Sequence, residues 1–477
     1  MIRKSLKPSK GVFKPKLKQE VKSQIVTSLK SFLCILLLIF GFWYSSFYLQ
    51  RGLFFAKHRP QRLDISAYFN VTQILKKGFG KRLYDYRFQD LHSKDLFKHY
   101  LSNSLEPFTG NKFLKFTNND LKLLEDRSTL AGNFYYPPQA SLFGLLLAPL
   151  SLLNLYILLN AFSVGVLLLA IFLVFKKYNL SKFWIVLFVA SLLCFQPWNH
   201  ALFHGQISVL ICSCFFFYYF FHERQRPIQS GIFLALSLLK PQLGIGLFLI
   251  TLLQKDFKAV FYGLLFTLGL LGLSLPIIGF EGVKDYFLAF LQLSNIFKIG
   301  LWAPRPVEPI YPVLDWTLLF FTNVSACGLW VAKLSKILTI SVSLCALGSM
   351  IWIASKEQCR QVNPLRFALL TLLSFFLFQY HHTHEYSLIV FCLLVAMLCN
   401  EGGAKKIILW FSFFCSFLPV LLELMFGAEA LVYVYHLHVL WIVALTTSIF
   451  LWSKLEFCQS GLLSKPITNQ LPLEESL

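Results

Sequence analysis

The run SFLCILLLIFGFWYSSFYLQ, residues 31–50, contains twenty residues and no charged side chain. About 20 apolar residues in a helix are enough to cross a hydrocarbon core of about 30 Å. The thirty residues before this run contain nine Lys or Arg and a single acid, Glu20. Basic residues beside a membrane helix indicate the cytoplasmic side. We therefore predict a basic cytoplasmic tail at 1–30 and a retained transmembrane helix rather than a cleaved signal peptide.

The composition of the whole chain is typical of a membrane protein. Hydrophobic residues make up 56% of its 477 residues and charged residues 14%, well below the soluble average of about 25%. The apolar runs have the length of membrane helices and lack the alternation of a barrel. The predicted fold is an all-α polytopic membrane bundle of about twelve transmembrane helices over 31–454, followed by a cytoplasmic tail at 455–477. We expect it in a bacterial inner (plasma) membrane or a comparable bilayer.

Charge and cysteine content exclude several other classes of protein. The net charge is +21, and its basic residues are distributed as the topology signals of a membrane protein. No nucleic-acid partner is therefore expected. The eleven cysteines are scattered and form no C-x-x-C pair. Neither a disulfide framework nor a zinc site is indicated.

Two water-compatible segments interrupt the apolar runs, and both are expected on the extracytoplasmic side. The first covers about 51–137 and the second about 281–332. Inside the first, Ile65 to Leu75 is predicted to form a short amphipathic helix that could lie at the headgroup layer. This loop helix is part of the predicted architecture.

Two apolar stretches are predicted to be broken rather than simple crossings. For the first we expect a re-entrant or tilted piece at 138–153 and then a helix at 155–175. The second, 231–253, has Lys240 and Pro241 at its centre and basic residues beyond both ends. A hairpin of two short halves, with Lys240 near the outer turn, keeps both basic flanks in the cytoplasm. Re-entrant backbone is tolerated where protein or water covers it, which places the first of these segments against a cavity.

This topology collects unusual polar side chains near the outer face. They are Asp64, Tyr136, His200, His204, Gln206, Lys240, Arg305, Asp315, His384 and Glu385. Ionisable residues at membrane depth are costly and usually face a cavity, so we expect a polar pocket. Asp64 is our candidate for the chemistry, although an Asp before a helix is also a common N-cap. For Lys240 the alternative is a lysine that snorkels to the interface.

Five segments together resemble a known family, in this order along the chain: LDISAYFNVTQILKKGFGKRLYDY (63–86), FYYPPQASLFGLLLAPLSLL (134–153), HGQISVLICSCFFFYYF (204–220), SGIFLALSLLKPQLGIGLFL (230–249) and THEYSLIVFCLL (383–394). The order is similar to that of the GT-C glycosyltransferases that depend on polyprenyl-phosphate sugars, and most of all to glycosyltransferase family 87. The resemblance covers roughly residues 60–400. It implies a GT-C type fold with its active site on the extracytoplasmic face.

The resemblance also implies a mechanism and the residues that perform it. A lipid-phosphate sugar enters from the membrane, and an acceptor hydroxyl attacks the anomeric carbon in one inverting displacement. The general base is a carboxylate in the first outer loop. Here it corresponds to Asp64, which Tyr68 follows at the family's spacing. Lys240, in the K-P pair, is the candidate for the contact to the phosphate.

The remaining site residues follow from the same resemblance and from the topology. Tyr136 belongs to a Y-P-P entry that shapes the cavity wall or forms a structural turn. Gln206 belongs to a G-Q pair at a helix start, where its amide would contact sugar hydroxyls. His384 matches a histidine at the outer end of a late helix and is a candidate contact to phosphate or sugar. His204 and Arg305 are further candidate substrate contacts on the same face.

The predicted function is therefore transfer of a hexose, with mannose favoured, from a polyprenyl-phosphate sugar to a lipid or glycan acceptor. We expect no cofactor and no metal, because metal-dependent GT-C relatives carry paired acids in the first loop, and here Ile65 follows Asp64. The histidine cluster at 381–384 lacks a strong metal-ligand spacing. Two alternatives remain open: a flippase or small-solute transporter, which would also show broken helices, and a non-catalytic envelope scaffold.

Overall fold

The structure is a computed structural model that describes residues 13–58, 63–85, 136–178, 182–298, 328–355 and 364–375, with three short pieces at 88–89, 92–93 and 95–96. Every regular element in these ranges is helical, as the sequence predicts. The α-helices, numbered in chain order, are α1 (Phe13–His58), α2 (Ile65–Lys76), α3 (Ala140–Leu147), α4 (Leu152–Tyr178), α5 (Lys182–Cys194), α6 (Gln196–His204), α7 (Ser208–Glu223), α8 (Pro227–Ser237), α9 (Pro241–Leu253), α10 (Phe257–Lys298), α11 (Gly328–Ser355) and α12 (Pro364–Phe375).

Helix α7 lies at the centre of the main hydrophobic core. Its sequence SVLICSCFFFYYFFHE is apolar on every side, and a helix that is hydrophobic all round is expected to be buried. Accordingly Val209, Phe215 and Tyr218 have no exposed surface. Helices α4 and α8 pack along α7. The start of α7, at Ser208, is therefore held in a fixed position by packing on several sides.

Helices α8 and α9 form a hairpin that runs out and back beside α7. Its far end is the turn at Lys240, whose Nζ atom donates a hydrogen bond to Ser208 Oγ at 2.7 Å. Its near end returns to the last turn of α7, where the His222 Nδ1 atom lies 2.6 Å from Asp256 Oδ2. The hairpin predicted for 231–253, with Lys240 in its turn, agrees with these contacts.

Helix α2 lies over the start of the bundle, where it packs against α3 and α4. It covers Ile65–Lys76, so the helix predicted at 65–75 is confirmed. The 3₁₀ turn Gly80–Arg82 that follows α2 rests on α10. A Cβ atom at Gly80 would lie 2.2 Å from the Ile277 carbonyl oxygen, so this close approach requires glycine.

Helix α10 is kinked beside this contact. Pro276 lies inside the helix, and Gly279 has the non-helical angles φ 70° and ψ 171°. Proline removes a hydrogen bond from the helix interior and glycine tolerates positive φ, which together account for the kink. Beyond Gly279 the chain continues as helix to Lys298, so the first part of the segment predicted as a loop at 281–332 is helical.

Two of the described helices are long and apolar enough to cross a membrane, at Leu152–Val174 in α4 and Phe257–Leu288 in α10. Large apolar side chains such as Phe162 and Leu268 are exposed on them, as expected of surfaces that face lipid. The short helix α3 and the longer α4 correspond to the two pieces predicted at 138–153 and 155–175. The total of twelve crossings stays a prediction, and the last of them lie outside the described residues.

Candidate active site

The site is built around the turn His204-Gly205-Gln206, which joins α6 to α7. Gly205 ends α6 in the left-handed conformation, with φ 66°. Its N–H donates to the Leu202 carbonyl at 3.2 Å, and the Gln206 N–H donates to the Ala201 carbonyl at 2.9 Å. This pattern is a Schellman-type helix end, in which glycine reverses the chain and satisfies the last carbonyls. The residues before this turn, Gln196–His204, form the short helix α6.

Two side chains of α4 hold this helix end in place. Tyr156 Oη donates to the Leu202 carbonyl oxygen at 2.8 Å, and Asn160 Nδ2 donates to the same oxygen at 3.0 Å. Both side chains are buried. Because buried polar groups are held firmly once their hydrogen bonds are satisfied, the turn that carries His204 and Gln206 is tied to α4, a helix long and apolar enough to cross a membrane.

The turn lies directly against the start of α2. A Cβ atom on Gly205 would be 3.0 Å from the Cβ atom of Ile65, the residue after Asp64. Close packing of these two backbones brings Asp64 next to His204 and Gln206, although more than 130 residues separate them in the sequence. The absence of a side chain at Gly205 is what allows this approach.

Asp64 occupies the N-cap position of α2 but makes no side-chain capping hydrogen bond. Its Oδ2 atom instead accepts a hydrogen bond from Gln206 Nε2 at 2.5 Å. The Nδ1 atom of His204 lies 3.7 Å from the same oxygen. The Asp64 side chain is 31% exposed, so a substrate hydroxyl can reach it. The capping role considered from the sequence is therefore not the role that the carboxylate takes.

Two tyrosines continue the network from the other side of Gln206. Tyr136 Oη donates to Gln206 Oε1 at 3.0 Å. Tyr68 Oη donates to Tyr136 Oη and also lies 3.4 Å from Gln206 Oε1. Burial, followed by the neighbouring Tyr136 and Asp64, raises the pKa of Tyr68 well above its usual value. Tyr68 therefore remains a neutral hydroxyl donor.

Tyr68 was not among the site residues predicted from the sequence, although a signal for it was present. It follows Asp64 by four residues, and residues four apart lie on the same face at the start of a helix. Ser208, by contrast, carries no distinguishing signal. Its role depends on a hydrogen bond with Lys240, 32 residues away.

Lys240 is the buried cation of the site. It precedes Pro241 at the N-terminus of α9, and 2% of its surface is exposed. Its Nζ atom donates a hydrogen bond to Ser208 Oγ at 2.7 Å. Ser208 lies two residues after Gln206. A lysine that snorkels would place its ammonium group at the surface, which this one does not. Burial of an ammonium ion is costly unless it is compensated, and the hydrogen bond to Ser208 is one compensating contact.

The structure thus brings together four of the predicted site residues, Asp64, Tyr136, His204 and Gln206, and places Lys240 at the same end of α7. Arg305 and His384 lie outside the described residues, as does the histidine cluster near His384. Within the described ranges, no group of three or more His, Cys, Asp or Glu side chains is arranged to hold a metal ion. Metal independence stays a prediction.

Comparison with known proteins gives one match. The family model of glycosyltransferase family 87 matches residues 134–380. This range includes Tyr136, Gln206 and Lys240, whereas Asp64 precedes it. No curated protein and no solved structure matches the chain.

Proposed function

Since the chain belongs to glycosyltransferase family 87, whose model matches just over half of it, and is a membrane glycosyltransferase, we propose that it transfers a hexose from a polyprenyl-phosphate sugar to a hydroxyl acceptor with inversion. Asp64 is the proposed general base. Mannose is the favoured sugar and a lipid or glycan the favoured acceptor. Family membership supports this enzyme over the transporter and the scaffold that the sequence alone left open.

The observation that carries the proposal is the arrangement of Asp64. Its carboxylate stands at a helix start without capping it, one oxygen is fixed by Gln206 at 2.5 Å, and the group remains partly exposed. A general base must be held within hydrogen-bond reach of the proton that it removes. A carboxylate whose position is fixed by the protein and whose surface is open to a substrate fits this requirement.

In the proposed reaction, Asp64 accepts the proton of the acceptor hydroxyl as that oxygen attacks the anomeric carbon. The bond between the anomeric carbon and the phosphate oxygen breaks, and its electron pair leaves with the lipid phosphate. One glycosidic bond forms and one phosphoester-linked C–O bond breaks, with the anomeric configuration inverted. No redox step or further co-reactant is required.

Lys240 is the proposed stabiliser of the leaving group. Negative charge accumulates on the lipid phosphate as the C–O bond breaks, and a fixed cation near it stabilises the transition state. Lys240 lies in a hairpin of two apolar helices and is almost wholly buried. Its charge is therefore less screened than it would be in water. An approach of the lipid-linked donor from the bilayer would bring its phosphate to this part of the protein.

The donor is tested with membranes from cells that express the wild type and from cells that carry an empty vector. Radiolabelled polyprenyl-phosphate mannose and polyprenyl-phosphate glucose are compared with the corresponding nucleotide sugars. The proposal predicts a labelled product from a polyprenyl-phosphate donor that depends on the expressed protein, with an anomeric configuration opposite to that of the donor. Transfer from a nucleotide sugar alone, or retention of configuration, would overturn it.

A further inference from the structure

We propose that Gln206 is a positioning residue for Asp64, and that Tyr68 and Tyr136 fix the orientation of its amide. The inference rests on the proposed role of Asp64 as base. It assigns to Gln206 a task different from the sugar contact that its sequence motif implies, and it adds the two tyrosines as a supporting pair.

The amide of Gln206 is oriented by contacts at both of its ends. Its Oε1 atom, which can only accept, receives the Tyr136 hydroxyl at 3.0 Å. Its Nε2 atom, which can only donate, gives a hydrogen bond to Asp64 Oδ2 at 2.5 Å. Rotation of the amide by 180° would place Oε1 against the carboxylate, which has no proton to donate when it is ionised. Asp64 therefore selects this orientation, and the Tyr136 hydroxyl holds it by donating to Oε1.

The hydrogen bonds form a chain in a single direction. Tyr68 donates to Tyr136, Tyr136 donates to Gln206, and Gln206 donates to Asp64. Hydrogen bonds in such a chain polarise one another, and a carboxylate acceptor makes the last of them strong. The chain ends on the negative charge of Asp64, which favours its ionised form. An ionised carboxylate is the form that accepts a proton.

The contacts that Gln206 already makes separate this role from direct recognition of a sugar. Its Oε1 atom lies within 3.4 Å of both tyrosine hydroxyls. An amide oxygen has two lone pairs, so this end of the side chain is already occupied. Asp64, the group that Gln206 contacts, is the more exposed of the two. The arrangement is that of a support behind a catalytic group.

The test compares three variants of the full-length protein in membranes, by kcat, by KM for the polyprenyl-phosphate hexose donor and by the pH dependence of kcat. Gln206→Leu removes both ends of the amide. Gln206→Glu replaces the amide with an acid of the same shape. Gln73→Glu makes the same chemical change on α2 at a side chain that contacts Thr72 and not Asp64. Wild-type transfer must be present, because its absence would overturn the proposed function instead.

For Gln206→Leu we expect kcat to fall about 100-fold with KM for the donor nearly unchanged, because loss of alignment by about 1 Å has an effect of this size. In Gln206→Glu, two carboxylates face each other and repel when both are ionised. At lower pH the introduced acid carries a proton and can donate it in a hydrogen bond to Asp64. We therefore expect partial recovery of kcat toward acidic pH, with an optimum about one unit below that of the wild type.

His204 and Tyr68 also face Asp64, from α6 and α2, and are unchanged in these variants. A shift in the pH profile of Gln206→Glu that is absent from Gln73→Glu therefore reports the substituted position. A merely structural Gln206 would give a loss of folded protein with no recovery at low pH. That result, or a rise in KM for the donor with kcat unchanged, would overturn the positioning role while leaving glycosyl transfer intact.

The tyrosine pair is tested by a second series. Tyr136→Phe removes the hydroxyl that holds the amide oxygen and is expected to lower kcat about tenfold, since loss of one hydrogen bond loosens the amide. Tyr84→Phe is the matched control, because Tyr84 Oη donates to the Tyr136 backbone carbonyl at 2.8 Å and lies outside the chain of hydrogen bonds. Equal effects of the two substitutions on kcat would contradict the inference.

Discussion

The Lys240 ammonium group donates a hydrogen bond to the Ser208 hydroxyl at 2.7 Å, and both residues are buried. The bond joins the turn of the α8–α9 hairpin to the first residue of α7. Gln206, which contacts Asp64, lies two residues before Ser208. A single helix start thus connects the candidate base to the candidate cation, although Asp64 precedes the matched family region and Lys240 lies within it.

Lys240→Met is predicted to lower kcat/KM for the polyprenyl-phosphate donor by about 100-fold or more, the effect expected when a preorganised electrostatic contact is removed. Thermal stability should fall only slightly, because Met is of similar length and the buried Ser208 hydroxyl loses one hydrogen bond of about 1 kcal/mol. The measurements are donor-dependent transfer in membranes and the thermal unfolding midpoint of the purified protein.

The matched control is Lys77→Met, at an exposed lysine after the end of α2. It should leave transfer within about twofold of the wild type, because exposed charges contribute little. Full activity of Lys240→Met would show that the buried cation does not stabilise the leaving group.

Gly205→Ala is predicted to reduce both stability and activity. The left-handed conformation costs an alanine about 1–2 kcal/mol, and its Cβ atom would lie 3.0 Å from the Ile65 Cβ atom. The strain falls on the turn that carries Gln206, so transfer should decrease more than the stability loss alone explains. Unfolding and transfer are measured on the same preparation.

Gly165→Ala supplies the comparison. This glycine lies inside α4, has no positive φ, and a Cβ atom there would meet nothing within 4 Å. Alanine is favoured over glycine in a helix by about 0.5–1 kcal/mol, so this variant should be as stable as the wild type or slightly more so. If Gly205→Ala behaves like Gly165→Ala, the account of the turn is incorrect.

Asp256→Asn is predicted to destabilise the protein at neutral pH. Burial raises the pKa of Asp256, but hydrogen bonds from His222 and from the Ala259 N–H outweigh it, so the net pKa lies below the usual value. The ionised group links the end of α7 to the start of α10 and accepts the Ala259 N–H at 3.1 Å. Loss of hydrogen bonds to a charged group costs about 1.5–3 kcal/mol.

The pH dependence of this effect has a definite sign. Because the folded-state pKa is depressed, the contribution is present above the ordinary value of about 3.9 and is lost as the pH falls below it. The stability difference between wild type and Asp256→Asn should therefore be full at about pH 7 and should shrink below about pH 4. A difference that grows toward acid would refute the assignment.

Local patterns in the sequence predicted local structure well. Apolar periodicity predicted α2, and the basic flanks of 231–253 predicted a hairpin with Lys240 in its turn. The pair Gly205-Gln206 at a helix start was expected from the family resemblance, and the structure places it between the end of α6 and the start of α7. In each case the determining residues are neighbours in the chain.

What the sequence did not predict depends on contacts between distant segments. The bond between Gln206 and Asp64 joins residues 142 apart, and the bond between Tyr68 and Tyr136 joins residues 68 apart. Periodicity identifies the face of a helix but not its partner, so the sequence could place these residues on one side of the membrane without pairing them. The helix after Gly279 was also missed, because Pro276 and Gly279 are typical of a helix end, whereas the chain continues as helix to Lys298.

The central claim is that Asp64 is the general base. The most direct measurement is transfer of radiolabelled hexose from a polyprenyl-phosphate donor by Asp64→Asn, at an expression level equal to that of the wild type. Asp95→Asn is the control, since Asp95 is an exposed carboxylate of the same segment, predicted at 51–137 between apolar runs. The account predicts that Asp64→Asn lowers transfer by a factor of about 100 to 10,000, the range of general base catalysis, and that Asp95→Asn retains it. Unchanged transfer by Asp64→Asn would contradict the assignment of the base.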